Sequence, residues 1–252
     1  MFSSKKVPHS LNNLRIDIIL KELCLVDSRN KALAVIMAGN VFVDEKRINK
    51  PGKLVKSNSI VKLKNNDHNW ASRGGIKLDN SLKFFKTEVS GKICLDIGCS
   101  SGGFTDVLIF YGAKRVYAVD VGYGQFDWRL RNSKKVKLFE RTNAKNLNKQ
   151  IISEPIDLVV CDVSFISIRK IFGNIKGLLN EKYEILSLIK PQFEVEKKLV
   201  GKGGIIKDKL VHENVCRDIE KWFKNNFENK FVKITESSIF GQKGNKEFFI
   251  YL

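Results

Sequence analysis

The stretch "LRIDIILKELCLVDSRNKALAVIMAG" (14–39) sets Ile16, Ile19, Leu20 and Leu23 at helical spacing, places Ser28 to cap a second helix, and ends that helix at Gly39. The next segment, "NVFVDEKRINKPGKLVKSNSIVKL" (40–63), alternates apolar and polar residues around Asp44-Glu45 and Pro51-Gly52, which predicts short strands joined by turns. A polar seam follows, "KNNDHNWASRGG" (64–75), and Trp70 within it has a large apolar area that favours burial as an anchor beside a hinge. Beyond the seam the pattern changes. "RVYAVDV" (115–121), "PIDLVVCDVSF" (155–165) and "YEILSLIK" (183–190) read as strands, and "TDVLIFYGA" (105–113) and "SIRKIFGNIKGLL" (167–179) as helices. "LVHENVCRDIEKWF" (210–223) is a further helix, with Val211, Val215, Ile219 and Trp222 in phase, and "KFVKITESSI" (230–239) and "KEFFIYL" (246–252) close the chain as strands.

Strands alternating with helices predict a doubly wound sheet. The expected class is α/β: a small α+β domain over residues 1–66, a linker over 67–73, and a Rossmann-like domain over 74–252 with a mostly parallel seven-stranded sheet. A chain of 252 residues, 43% hydrophobic, is long enough for one substantial core plus a small appended domain.

Charge adds a partner. The formal net charge is +18, and residues 1–66 carry 13 Lys and Arg against 5 Asp and Glu. Such a surface attracts polyanions, so nucleic acid or an anionic membrane is implied. The five cysteines, Cys24, Cys94, Cys99, Cys161 and Cys216, form no Cys-x-x-Cys pair, and the opening "MFSSKKVPHS" has no apolar signal region. No apolar segment approaches the ~18 residues of a membrane span. A soluble cytoplasmic protein with reduced cysteines and no metal site is expected.

The basic residues Arg15, Arg29, Lys31, Lys46, Arg47, Lys50 and Lys53 fall between the first helices and strands, a compact cluster suited to phosphate contact. Arg15-x-Asp17, Ser28-Arg29 and Gly39-Asn-Val41 resemble the pattern of the S4 RNA-binding domain over about residues 13–65. The resemblance departs at Asp44-Glu45, where that family tends to have Asn-Gly.

Residues 91–104, "GKICLDIGCSSGGF", join an apolar strand to a helix through a Gly-rich turn that lets a ligand approach the backbone. The Gly-Lys-Ser/Thr of a triphosphate loop is missing. A dinucleotide loop is harder to exclude. Asp96 favours another ligand, because it would repel a pyrophosphate but accept hydrogen bonds from the ammonium of S-adenosylmethionine. Asp120, ending the next strand, stands where an acid can take two ribose hydroxyls. The reaction site of such sheets lies at the carboxyl ends of the strands. Asp162 and Lys190 end strands, Glu247 begins the last one, and Lys77 starts a helix before the Gly-rich strand. Two carboxylates offset the cost of holding two ammonium groups in a cleft.

"SRGGIKL" (72–78), "DIGCSSGGFTD" (96–106), "VYAVDVGYGQFDWRLR" (116–131), "ERTNAKNL" (140–147), "CDVSFIS" (161–167), "LIKPQFE" (188–194) and "GNKEFF" (244–249), with the S4-like front, resemble the TlyA family across essentially the whole chain. That family comprises haemolysin-like ribosomal RNA ribose 2′-O-methyltransferases with an FtsJ-like catalytic domain. The resemblance implies a Lys-Asp-Lys-Glu tetrad at Lys77, Asp162, Lys190 and Glu247, and ribosomal RNA or ribosomal subunits as substrate, methylated at cytidines of 16S or 23S rRNA or both. The expected cofactor contacts are Asp96, Gly98, Cys99, Ser100, Gly102, Gly103, Phe104, Asp120, Val121, Asn143 and Asp162.

A ribose 2′-hydroxyl is a poor nucleophile and must lose its proton as it attacks. A lysine that burial and a like charge favour as the neutral amine could accept that proton or orient the oxygen. Lys190 is assigned this role, with Asp162 holding it and Lys77 and Glu247 positioning the ribose. Other methyl transfers leave different marks. Base-amino enzymes use an Asn/Asp-Pro-Pro-aromatic turn where this chain has Asp162-Val-Ser-Phe165, and Cys161, a possible nucleophile toward cytosine, should point into the core by strand alternation. Two other classes remain: a membrane-lytic haemolysin and a non-catalytic RNA chaperone on the same fold.

Overall fold

The computed structural model describes residues 2–26, 28–37, 39–64, 68–227 and 231–252. Asp67, the first residue of the expected linker, Asn65 and Asn66 at the end of the expected first domain, and Lys230, the first residue of the strand predicted at 230–239, lie outside them. The chain divides into two units, residues 1–69 and 70–252.

In the first unit α1 (Ile16–Glu22) and α2 (Arg29–Met37) accompany a four-stranded antiparallel sheet, ordered β1-β6-β3-β4, of β1 (Phe2–Lys6), β3 (Val41–Val43), β4 (Lys46–Ile48) and β6 (Ile60–Lys64). β2 (Leu14–Arg15) and β5 (Leu54–Val55) form a separate antiparallel pair. Ile16, Ile19 and Leu20 of the helical stripe read from the sequence are buried with Ile36, Val41 and Val61, and Leu23, its fourth residue, caps the helix end and packs partly buried against them. Ser28 caps α2 by accepting a hydrogen bond from the Lys31 amide at 3.2 Å. Val43 pairs with Lys46, so Asp44 and Glu45 form a tight hairpin turn. Both have positive φ, 47° and 64°, which makes it a type I′ turn built from residues other than the favoured Asn-Gly. The Asp44 carboxylate repays part of that strain by accepting the Ile60 amide at 2.8 Å.

The second unit is built on a seven-stranded sheet ordered β12-β13-β11-β10-β7-β8-β9. Its strands are β7 (Ile93–Ile97), β8 (Arg115–Val119), β9 (Val136–Phe139), β10 (Ile156–Cys161), β11 (Leu179–Ile189), β12 (Lys233–Glu236) and β13 (Phe248–Tyr251). β9, β8, β7, β10 and β11 run parallel, and β13 returns antiparallel between β11 and β12. The helices are α3 (Gly74–Phe85), α4 (Gly103–Phe110), α5 (Trp128–Arg131), α6 (Arg169–Phe172), α7 (Pro191–Glu194) and α8 (Lys209–Asn226). Strand alternation sends Leu95, Ile97, Val159 and Cys161 to one core and Cys94, Leu158 and Val160 to another.

Three sequence readings change here. The helix expected over 167–179 is one turn, α6, followed by a 3-10 turn, because Gly173 and Gly177 weaken a continuous helix while Ile168, Ile171, Phe172, Ile175 and Leu178 still reach the core. In α8 the buried stripe is His212, Val215, Ile219 and Phe223, with Val211 and Trp222 at its margin. β1 and β9, both short and rich in exposed or half-exposed positions, carry no apolar run that would announce them.

Candidate active site

The ladder of the parallel strands continues past their carboxyl ends and gathers the polar residues there. The Gly98 amide donates to Val119 O at 2.9 Å, the Asp120 amide to Phe139 O at 3.0 Å, and the Asp162 amide to Ile97 O at 2.9 Å. Gly98 (φ +81°) lies so close to β10 that a Cβ there would stand 2.7 Å from Asp162 O, so only glycine fits. Gly102 (φ +93°) holds a left-handed conformation that favours glycine, and a Cβ there would also have to displace the Leu130 side chain, 2.6 Å away.

Asp96, on β7, is fully buried. Its Oδ2 accepts the Thr105 hydroxyl at 2.6 Å, while Oδ1 is buried without a hydrogen-bond partner. Burial pushes this carboxyl up to about 7, the nearby Asp162 charge adds to the rise, and the Thr105 hydrogen bond opposes it. Asp120 braces two loops at once: Oδ2 accepts the Ser100 amide at 2.8 Å and Oδ1 the Gly122 amide at 2.6 Å. Oδ1 also accepts Gln125 Nε2 at 3.5 Å, and Oδ2 keeps a lone pair for a further donor. Cys99 and Phe104 send their side chains into the core, Cys99 against Ala118, Phe126 and Leu130, and Phe104 against Phe249. Val121 is exposed, and Asn143 is exposed with its Oδ1 accepting the Lys145 amide.

The four tetrad positions form two ion pairs. Lys77 Nζ, in the first turn of α3, donates to Glu247 Oε2 at 2.6 Å, and both side chains are buried. Lys190, directly after β11, is 8% exposed and holds Nζ 2.5 Å from Asp162 Oδ1 and 2.8 Å from Ser164 Oγ. The pairing of Phe248 with Ile189 puts Glu247 and Lys190 at neighbouring strand ends. Replacing such buried pairs by apolar residues is often neutral or stabilising, so stability alone does not account for them. Cys161 is fully buried, its thiol pushed up to about 12 by burial, as expected of a core residue.

Several participants were not singled out in the sequence. Ser164, within "CDVSFIS", is a partner of Lys190. Gly241 makes room for Glu247: a Cβ there would stand 1.9 Å from Glu247 Oε1. Asp106 joins Arg129, at 2.7 Å, to the Ala71 amide, at 2.9 Å, and so ties the start of this unit to α5. Trp70 packs edge-on against Phe110 and over Gly75 within the same unit. In the first unit, Arg15 and Arg29 both clasp the buried Asp17, at 3.0 and 2.9 Å, and Arg47 donates to Gly39 O at 2.8 Å. Burial would raise the Asp17 carboxyl, but the hydrogen bonds from Arg15 and Arg29 hold it below its usual range. Lys31, Lys46, Lys50 and Lys53 are exposed.

A strand order with five parallel strands and one antiparallel return, a Gly-rich turn after the first strand of the sheet domain, and acids at successive strand ends define the class of Rossmann-like methyltransferases. The FtsJ-like methyltransferase model matches residues 70–252, and the S4 domain model matches residues 14–61. The 16S/23S rRNA (cytidine-2′-O)-methyltransferase TlyA of Mycobacterium tuberculosis is 39% identical over 245 residues, covering 94% of this chain and 89% of that protein. Hemolysin A of Brachyspira hyodysenteriae is 41% identical over 237 residues, covering 93% and 98%. A solved structure described as a hemolysin from Streptococcus thermophilus matches with TM-score 0.71 and 32% identity, covering 96% of this chain and 88% of that one. The chain belongs to the FtsJ-like methyltransferase family, in the S4-fronted TlyA group.

Proposed function

We propose that this chain is an S-adenosylmethionine-dependent methyltransferase acting on the ribose 2′-hydroxyl of ribosomal RNA, at cytidines. The observation that carries the reading is the pair of buried ion pairs, Lys77 with Glu247 and Lys190 with Asp162, at the carboxyl edge of a sheet whose first loop is Gly-rich. The substrate class rests on the relative named as an rRNA cytidine-2′-O-methyltransferase and on the S4 domain.

The residues fit the cofactor. The partnerless buried Oδ1 of Asp96 is an acceptor suited to an ammonium, Gly98 and Gly102 leave the backbone of the loop bare at its two ends, and Asp120 Oδ2 retains a lone pair for a ribose hydroxyl. S-adenosylmethionine, when bound, supplies an electrophilic methyl group on a sulfonium. The chain's own work is to hold and deprotonate the nucleophile. Lys190 takes the 2′-hydroxyl proton, while Asp162, 2.5 Å away, holds its side chain in place. Lys77 and Glu247, locked to each other, orient the ribose. Alignment of this kind lowers barriers by several kcal/mol, about 7 or more in the best intramolecular cases.

The test is transfer of labelled methyl groups to ribosomal RNA, followed by nucleoside digestion, beside a red-cell lysis assay. Label in 2′-O-methylcytidine is expected. Label on a base would overturn the ribose assignment, and lysis without transfer would favour the haemolysin reading. Among the described residues no helix is long and apolar enough to cross a membrane.

A further inference from the structure

A lysine that accepts a proton must aim its lone pair, and an amine turns freely about its last carbon–nitrogen bond unless something holds it. Beyond its bond to Cε, Nζ of Lys190 has three tetrahedral directions. Ser164 Oγ takes one of them in a hydrogen bond at 2.8 Å. Asp162 Oδ1 lies 2.5 Å from Nζ, but this buried oxygen has no hydrogen-bond partner, so the contact holds the distance and not the direction. Ser164 is therefore the partner that fixes how Nζ is turned.

The loop that carries Ser164 is built to stay beside Lys190. Phe165 adopts φ +66°, a conformation that is strained for an aromatic residue and persists only when its surroundings enforce it. The enforcing contacts come from α7, the turn that begins immediately after Lys190. Glu194 at its end is almost fully buried, and its carboxylate accepts the Ser167 hydroxyl at 2.6 Å and the Ile168 amide at 2.8 Å. Arg169 stands 3.6 Å away, and the ring of Phe193 meets that of Phe165 at 4.9 Å between centroids. Pro191 fixes the exit from Lys190, and the Phe193 amide returns to Lys190 O at 2.9 Å. One short turn therefore holds both the lysine and the loop bearing its second partner.

We infer that Ser164 is a positioning residue for the proton acceptor Lys190, and that Glu194 is the anchor that keeps Ser164 in place. This rests on the reading of Lys190 as the base toward a ribose hydroxyl. In the full chain, Ser164→Ala should lower kcat by about 10- to 100-fold, the scale of a misaligned reacting group, with KM for RNA and for S-adenosylmethionine within about twofold. Ser164→Thr, which restores the hydroxyl, should recover most of the rate, and Glu194→Gln should fall between wild type and Ser164→Ala. Full kcat in Ser164→Ala, equal loss in the Thr variant, or a change confined to KM would each overturn the assignment. Nitrogen-15 spectra of the lysine side chains keep the two levels apart. A slowly exchanging Lys190 Nζ signal is expected in the wild type and should disappear in Ser164→Ala whether or not RNA is methylated, and its persistence would also overturn the assignment. An inactive wild type would instead remove the ribose-methylation reading beneath it, and an active Lys190→Ala the reading of Lys190 as the base.

Discussion

Asp96 shows how much one buried atom can determine. Its carboxyl is held near 7, against 3.8 for an ordinary aspartate, mainly by burial. Between those values the folded chain keeps a proton that the unfolded chain has lost. The resulting stabilisation is complete below about pH 4 and fades as the pH rises through 7. An ammonium brought to the free Oδ1 favours the carboxylate, so cofactor binding below about pH 7 should expel up to one proton and tighten as the pH approaches 7. Calorimetry in buffers of different ionisation enthalpy measures this directly, and buffer-independent heats at pH 6 would refute it. For Lys190, replacement by Arg should leave methyl transfer down by orders of magnitude, since a guanidinium stays protonated, with both ligands still bound. Near-wild-type activity in Lys190→Arg would reduce Lys190 to an electrostatic orienter. Lys77 separates stability from function. Lys77→Met leaves Glu247 buried and alone and should cost about 3–5 kcal/mol, whereas adding Glu247→Leu should restore stability without activity. Denaturant unfolding of the two variants decides the stability half, and methyl transfer the other.

At the scale of elements, what was legible follows from how locally each signal is written. The Gly-rich turn, the acids at strand ends and the stripe of α1 are short patterns fixed by local geometry, and they stand where the sequence put them. The apolar period over 167–179 fits a long helix and equally the broken turn that forms, since in both the apolar side chains reach the core. β9 carries no such signal, because its residues are half-exposed at the sheet's edge. Ser164 and Gly241 were invisible for a different reason: each matters through one contact with a residue distant in sequence, Lys190 and Glu247, and no spacing rule encodes that. Asp120 links the element scale back to binding, since one carboxylate braces the loop after β7 and the turn after β8. Asp120→Ala strands the Ser100 and Gly122 amides as well as removing a ligand acceptor. It should weaken S-adenosylmethionine binding by about 1–3 kcal/mol, the range for losing a charged hydrogen-bond partner. An unchanged affinity by calorimetry would show that Asp120 serves the loops alone.

The whole molecule is two units with separate cores, and each carries its own excess of positive charge. Residues 1–69 hold 13 Lys and Arg against 6 Asp and Glu, a net +7, and the remaining residues carry +11. The first unit's charge is not all available to a partner. Arg15 and Arg29 are spent on Asp17, which leaves the exposed lysines Lys31, Lys46, Lys50 and Lys53 as the groups best able to meet phosphates. A chain beginning at Trp70 keeps the cofactor loop, both ion pairs and the Trp70–Phe110 contact. It should bind S-adenosylmethionine as the full chain does, but bind RNA more weakly and with a shallower dependence on salt. Changing the four lysines to glutamine in the full chain should flatten the slope of log K against log salt by about 0.7–0.9 for each one that contacts a phosphate, while changing Arg29 should chiefly lower the stability of the first unit. The slopes are measured by RNA binding across a salt series. If removal of the first unit leaves the slope unchanged, its lysines do not touch phosphate, and the RNA surface lies within residues 70–252.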